Sequence, residues 1–112
     1  MATSIVGKTL TSANGIGTVI LLSFSTIPIT VIKINVTTNE TVSNVIDLNY
    51  NDGTATRLLG SYKIPAGAGT LGKPVANILE YLGDFSFSAG YLTIGMETTI
   101  ASGKSVNIHI FY

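Results

Sequence analysis

Cysteine and tryptophan are absent from this chain of 112 residues, and histidine occurs once, as His109. Without cysteine the chain has no disulfide, no thiolate zinc site and no cysteine nucleophile. A lone histidine has no second imidazole to form a metal site or a catalytic pair. We therefore expect no catalytic residues, no metal and no cofactor, and we interpret His109 as a surface or interface side chain.

Charged side chains are also scarce. Six acidic and six basic residues make up 11 % of the chain, whereas apolar residues make up 46 %. A soluble domain normally has about 25 % charged residues. The formal net charge is zero, so attraction to nucleic acid or to an anionic membrane is not expected. So few charges predict that other copies or a partner protein cover part of the exterior.

The longest uncharged stretch lies between Lys8 and Lys33. Residues 15–32 are about as long and apolar as a membrane span. Ser23 and Pro28 interrupt this stretch, however, and β-branched residues dominate on both sides. We predict two strands joined by a turn and no membrane partner; a membrane-inserted segment is the alternative.

Apolar and polar residues alternate in most of the chain, which is typical of half-buried strands. Near the end, Val106, Ile108 and Ile110 alternate with polar residues. Asp52 and Gly53 predict a hairpin with a two-residue turn. Roughly six to eight short strands separated by turns predict a single antiparallel sandwich or barrel with Greek-key connections over residues 15–112. Residues 1–14 are predicted to form an N-terminal arm that lies along a neighbouring molecule.

One segment has a different period. Its apolar residues recur at helical spacing, after a proline and before a glycine, as at helix ends; they are Val75, Ile78, Leu79 and Leu82. We predict a short helix over residues 74–82, and a bent strand is the alternative.

Residues 17–24 form a strand with an unbroken apolar run, Val19, Ile20, Leu21 and Leu22. A continuous run predicts that both faces of a strand are shielded from water. We assign Val19 and Leu21 to the outer face and Ile20 and Leu22 to the core; the reverse assignment is the alternative. Together with Phe111, the outward residues Val19 and Leu21 are the predicted oligomer interface.

The order of these segments resembles a family. A polar Thr-Ser segment is followed by a strand entering a proline turn, a strand ending in Asn-Thr residues and a hairpin strand. Next come an Ile-Pro-Ala-Gly sequence, an Ala-Gly sequence that leads into a strand, and a strand of alternating polar and apolar residues that ends in an aromatic residue. In this order the chain resembles small virion proteins of tailed bacteriophages, over residues 11–12, 19–28, 32–41, 45–50, 64–67, 89–92 and 105–112.

The resemblance implies an all-β, jelly-roll-like antiparallel β-sandwich located in the virion. The implied function is that of a non-enzymatic capsid decoration or cement subunit, or of a neck or fibre component. Its implied partners are copies of itself, as a dimer or trimer, and the major capsid protein or another virion protein. The family brings no catalytic residues, and the predicted helix departs from its all-strand pattern.

Two other interpretations remain open. Phe85, Phe87 and Tyr91 could form an aromatic platform that binds carbohydrate, as in a receptor-binding module. Oxygen-bearing side chains near the predicted hairpin could hold a cation, although a closing glutamate for a calcium loop is missing; they are Asp47, Asn49, Asn51 and Asp52. An ordinary turn is the simpler explanation of the second group.

Overall fold

The computed structural model describes residues 4–24, 29–78, 85–87 and 90–112. Ten β-strands occur in this part of the chain: β1 Ile5–Thr11, β2 Thr18–Phe24, β3 Ile29–Val31, β4 Lys33–Thr38, β5 Asn44–Asn51, β6 Thr56–Ile64, β7 Ala76–Asn77, β8 Phe85–Phe87, β9 Gly90–Met96 and β10 Ser105–Phe111. A short 3₁₀ helix, Ser12–Asn14, follows β1.

Two antiparallel four-stranded sheets form a sandwich. One has the order β1-β10-β4-β7 and is called the β1 sheet; the other has the order β2-β9-β5-β6 and is called the β2 sheet. The first strand pairs with the last, the second with the ninth, the third with the eighth, and so on inward to the β5–β6 hairpin. A long hairpin rolled up in this way is a jelly roll, so the predicted fold class is confirmed.

The core lies between the two sheets and follows from the alternation seen in the sequence. In β4, β5, β9 and β10 most of the side chains that face inward are aliphatic and buried; these residues include Ile34, Val36, Ile46, Leu48, Leu92, Ile94, Val106 and Ile108. Burying one such side chain contributes about 1.5–3 kcal/mol to stability. The two inner faces therefore hold the sandwich together, and the residues between them face outward.

The predicted N-terminal arm requires a correction. Residues 5–11 form β1, which pairs along its whole length with β10 of the same chain. Leu10 is only 1 % exposed and belongs to the core. Thr9 and Thr11 suit an edge strand with one wet face, so β1 is part of the sandwich.

The helix predicted over residues 74–82 is wrong in its described part, and residues 79–82 lie outside the described residues. Ala76–Asn77 form β7, which pairs with β4. Ile78 continues this pairing, since its N–H donates a hydrogen bond of 2.9 Å to Ile34 O. Ala76 and Ile78 face the core while Val75 is 44 % exposed, which is a period of two. Pairing with β4 therefore overrides the local helical pattern.

The predicted hairpin at Asp52 and Gly53 joins β5 to β6. Its connection spans residues 52–55 and is longer than the two-residue turn that the sequence predicts. Asp52 N–H donates to Ala55 O at 3.3 Å, and Gly53 has φ of 98°. A positive φ suits glycine, which explains the residue at this position.

Candidate functional site

Strand β2 forms one edge of the β2 sheet, and β9 is its partner. The register shifts between Ile20 and Leu22, so Leu21 is the extra residue of a β-bulge. The bulge places two consecutive side chains in the core, because Leu21 is 2 % and Leu22 is 7 % exposed. Ile20 lies opposite Thr93 on the outer face and is 48 % exposed. A bulge therefore explains the apolar run, and a second face shielded from water is not needed.

The predicted outward position of Leu21 is wrong, because its side chain is in the core. Val19 is half-buried, packs against the core and lies opposite buried Ile94, so it also faces inward. The reverse assignment holds for Val19, Ile20 and Leu21, whereas the prediction that Leu22 faces the core is confirmed. Among the side chains of β2 that the structure describes, Ile20 is thus the apolar one that faces outward.

Phe111, the third residue of the predicted interface, is half-buried on the outer face of β10. In register it lies between Ile5 of β1 and Lys33 of β4. Lys33 Nζ is 5.5 Å from the centroid of the Phe111 ring, within the range of a cation–π interaction. Because Ile5 is 62 % exposed, this part of the β1 sheet has an apolar surface with one cation. The role of Phe111 in an interface stays a prediction.

His109 lies two residues before Phe111 on the same outer face, and its side chain is exposed. Its register partners are Gly7 of β1 and Asn35 of β4. A Cβ on Gly7 would lie 3.3 Å from His109 Cδ2, so the imidazole ring lies across the glycine. None of these neighbours is a carboxylate or a hydroxyl nucleophile that would form a catalytic pair with His109.

The oxygen-bearing residues near the β5–β6 hairpin mainly serve the turn. Asp52 Oδ1 accepts hydrogen bonds from the backbone N–H groups of Ala55 at 3.0 Å and Thr54 at 2.9 Å. These bonds lower the pKa of Asp52 to about 2. Asp47 lies about 17 Å away along the extended strand. No cluster of three or more acidic or histidine side chains suited to a metal ion occurs in the described residues.

Asp47 faces a different acid, Glu97. Asp47 Oδ1 accepts a hydrogen bond of 2.5 Å from Ser61 Oγ on β6. Gly95 is the register partner of Asp47 on β9, which brings Glu97 close to it. The hydrogen bond to the Asp47 carboxyl, together with desolvation and the charge of Asp47, raises the pKa of Glu97. The outer face of the β2 sheet therefore carries two neighbouring carboxyl groups, and the pKa of Glu97 lies above its ordinary value.

Glu40 is a buried acid in the loop between β4 and β5. Its side chain is 2 % exposed, and Asn44, which is 1 % exposed, donates from Nδ2 to Glu40 Oε2 at 3.3 Å. Glu40 Oε1 and Asn44 Oδ1 are buried without a hydrogen-bond partner. The Glu40 carbonyl accepts a hydrogen bond of 3.0 Å from Gly67 N–H, which ties the β4–β5 loop to the loop that follows β6. Nothing in the sequence pattern marks this residue as buried.

A shallow groove of about 200 Å³ lies between β6 and the segment that contains β7, at neighbouring edges of the two sheets. Its lining is mostly apolar, with a tyrosine and two polar residues: Ile64, Pro65, Pro74, Val75, Ala76, Ile78, Tyr62, Lys63 and Asn77. Burial raises the pKa of the Tyr62 hydroxyl. Asn77 Oδ1 is buried without a hydrogen-bond partner. Sequence reasoning missed this groove because its two walls are separate in the chain.

Of the predicted aromatic platform, Tyr91 is half-buried on the outer face of the β2 sheet. It lies between Ser23 of β2 and Asn51 of β5 in register. The side chains of Phe85 and Phe87 lie outside the described part of the structure. The platform therefore stays a prediction.

No known family model and no curated protein matches this chain. Among the described residues, no helix has both the length and the apolar character needed to cross a membrane. The functional assignment depends on the fold and on the surfaces described above.

Proposed function

We propose that this chain is a non-enzymatic structural protein of a virion, a capsid decoration or cement subunit that associates with itself and binds the capsid lattice. The observation that carries the proposal is the jelly-roll sandwich, an architecture that is common in viral capsid proteins. Because one fold can serve many functions, the surface must supply the remaining support.

The surface is unusually poor in charge, since only 11 % of the residues are charged. Seven large aliphatic side chains of the described part are at least 44 % exposed: Ile5, Ile16, Ile20, Val42, Leu58, Leu71 and Val75. Single exposed aliphatic residues are normal, but this chain has only six acidic and six basic residues beside them. Such a surface favours contact with other protein subunits.

The proposed partners are copies of the same chain, as a dimer or trimer, and the major capsid protein. A standard interface covers about 800 Å² on each partner, which is about an eighth of the 5979 Å² that this molecule exposes. At about 25 cal/mol per Å² the gross hydrophobic contribution is near 20 kcal/mol. Lost freedom of motion offsets much of this contribution, yet a stable complex is energetically reasonable.

Light scattering of the purified chain at increasing concentration tests the self-association. We expect a mass above that of the 11.7 kDa monomer.

Location in a virion is tested by sedimenting intact particles through a density gradient and probing the fractions for the chain. We expect the chain to travel with the particles; a monomeric chain that stays at the top of the gradient contradicts the proposal.

A carbohydrate-binding module is the second candidate, because jelly rolls also occur in lectins. The observation that favours it is the groove, where Tyr62 supplies an aromatic surface and Asn77 Oδ1 an unpaired acceptor for a hydroxyl group. A glycan array tests this candidate. Binding lost in Tyr62→Ala favours the groove, loss in Phe85→Ala, Phe87→Ala or Tyr91→Ala favours the platform, and no binding contradicts both.

A further inference from the structure

The edges of the two sheets differ in how they are protected against pairing with another strand. Natural sheets protect their edges with charged residues, especially lysine, with inward-pointing charges, with β-bulges or with very short strands. Strand β7 has two residues, and β6 carries the exposed cations Arg57 and Lys63. Strand β1 carries Lys8, which shares the inward phase of Val6 and Leu10 yet is exposed. Each of these three edges has at least one of the known protective features.

Strand β2 has a bulge at Leu21, but it is the one of these four edges that is neither very short nor charged. Its sequence, TVILLSF, contains no charge, no proline and no glycine. Ile20 is 48 % exposed on its outer face, and Ile16, just before the strand, is 65 % exposed. Uncharged β-strands of this composition pair readily with other strands when their edge is free.

We propose that the outer edge of β2, which pairs with no other strand in the described part of the chain, pairs with β2 of a second copy of this chain, antiparallel and across a two-fold axis. The inference rests on the self-association in the proposed function and names its surface. Two β2 sheets then continue into one sheet of eight strands, and the two Ile20 side chains lie near the axis. A partner of identical sequence carries the same bulge, so its twist matches that of the edge it joins.

The distribution of charge favours contact with a second copy through β2 over contact through β6, the opposite edge of the same sheet. A two-fold contact sets each surface patch against its own equivalent. Pairing through β6 would bring Arg57 and Lys63 of one copy close to the same two cations of the other, and like charges placed opposite each other destabilise a sheet. Pairing through β2 brings no charged side chain of either strand to the interface.

The outer face of the β2 sheet offers a matched pair of variants. Ile20, Thr93, Asn49 and Leu58 lie in one row across the four strands, so Ile20 and Leu58 occupy equivalent places at opposite edges. Both are exposed, at 48 % and 62 %. We expect Ile20→Lys to weaken self-association by about tenfold or more, because two lysines then meet at the axis. Leu58→Lys is expected to leave self-association unchanged.

Sedimentation velocity over a wide range of protein concentration measures the self-association of both variants, and circular dichroism confirms that they fold. Thr18→Lys, at a second exposed position of β2, replaces Ile20→Lys if that variant fails to fold. In the unmodified protein, amide hydrogen exchange should slow in β2 as concentration rises and remain constant in β6.

Three results would overturn the inference. Equal association of the wild type and both variants shows that copies meet through another surface, and leaves the proposed function standing. A loss of lattice binding without a loss of self-association assigns the β2 edge to the capsid protein instead. A wild-type chain that is monomeric at all concentrations rejects both the inference and the proposed self-association.

Discussion

At the scale of single residues, two exposed acids respond to pH in opposite directions. Backbone hydrogen bonds from Ala55 and Thr54 lower the pKa of Asp52 from 3.8 to about 2. Asp52 therefore adds stability above pH 3.8, and this contribution is lost as the pH falls toward 2. The Asp47 carboxyl raises the pKa of Glu97 above its ordinary 4.5. Glu97 therefore favours the fold at low pH, and this contribution is lost as the pH rises through its raised pKa.

The first prediction concerns this contrast. Glu97→Gln is expected to raise the free energy of unfolding at neutral pH, because a neutral amide is not repelled by Asp47. The gain should vanish below about pH 4, where Glu97 is protonated in both states. Asp52→Asn, the matched variant, should lower stability at neutral pH and converge with the wild type near pH 2. Urea unfolding at a series of pH values measures the free energy of unfolding of both variants and the wild type. If the difference from the wild type stays constant with pH for both variants, the assigned pKa shifts of Glu97 and Asp52 are contradicted.

The second prediction concerns Gly90, which begins β9 with φ of 113°. A Cβ at this position would meet the backbone of residues 51 and 52, including Asp52 Cα at 3.1 Å. Backbone atoms cannot rotate away, and the positive φ adds strain. We expect Gly90→Ala to destabilise the fold by about 3 kcal/mol.

The control for this prediction is Gly17→Ala. A Cβ at Gly17 would meet Asn14 O at an ordinary 3.6 Å. We expect a change of less than about 0.5 kcal/mol, as for most surface substitutions. A similar loss of stability in both variants, measured by thermal unfolding, would contradict the argument from Gly90.

At the scale of elements, the bulge in β2 decides which side chains the strand buries. The extra residue reverses the alternation between Ile20 and Leu22, so the apolar side of the strand continues through Leu21 and Leu22. The core gains two neighbouring leucines from an edge strand. The remaining exposed aliphatic side chain of the run, Ile20, is left free for contacts outside the molecule.

The third prediction tests this arrangement. Leu21→Ala and Leu22→Ala are each expected to cost about 2–5 kcal/mol of stability, since both side chains are buried. Ile20→Ala should cost less than about 1 kcal/mol, because Ile20 is 48 % exposed. Urea unfolding at low protein concentration, where the chain is least associated, distinguishes the three variants by their free energies of unfolding. A large loss for only one of the two leucines would indicate regular alternation without a bulge.

Elements with long-range alternation could be predicted from the sequence, and elements set by their partners could not. The residues Val106, Ile108 and Ile110 mark β10 by themselves. The bulge in β2 and the pairing of Ala76 with β4 depend on strands that are distant in the chain, so no local pattern reveals them. The same limit applies to the groove at Tyr62 and Asn77, whose walls meet only after folding.

At the scale of the whole molecule, the first and last strands hold each other. Ser4 N–H donates to Tyr112 O at 2.9 Å, and Tyr112 N–H donates to Ser4 O at 3.0 Å. The β1–β10 pair therefore closes a loop of nearly the whole chain. Pairing between such distant segments slows folding, because the entropy of closing the loop is lost before the contacts form.

The fourth prediction follows from this closure. A circular permutant that joins residues 112 and 4 through a short glycine-serine linker, and opens between Leu71 and Gly72, should fold. Leu71 is fully exposed and Gly72 has no neighbour within 4 Å of a Cβ position, so new ends are tolerated there. We expect faster refolding in stopped-flow measurements, since β1 and β10 become neighbours. A permutant without a cooperative unfolding transition would contradict this prediction.

The pairing of β1 with β10 also has a consequence during translation. While the ribosome is still adding the C-terminal strands, β1 has no partner, and β2 waits for β9 in the same way. The uncharged β2 segment is then exposed to other nascent chains on the same messenger. A polysome that spaces its ribosomes widely, or a chaperone that holds β1 and β2 until β9 and β10 have been made, would protect this chain from premature aggregation.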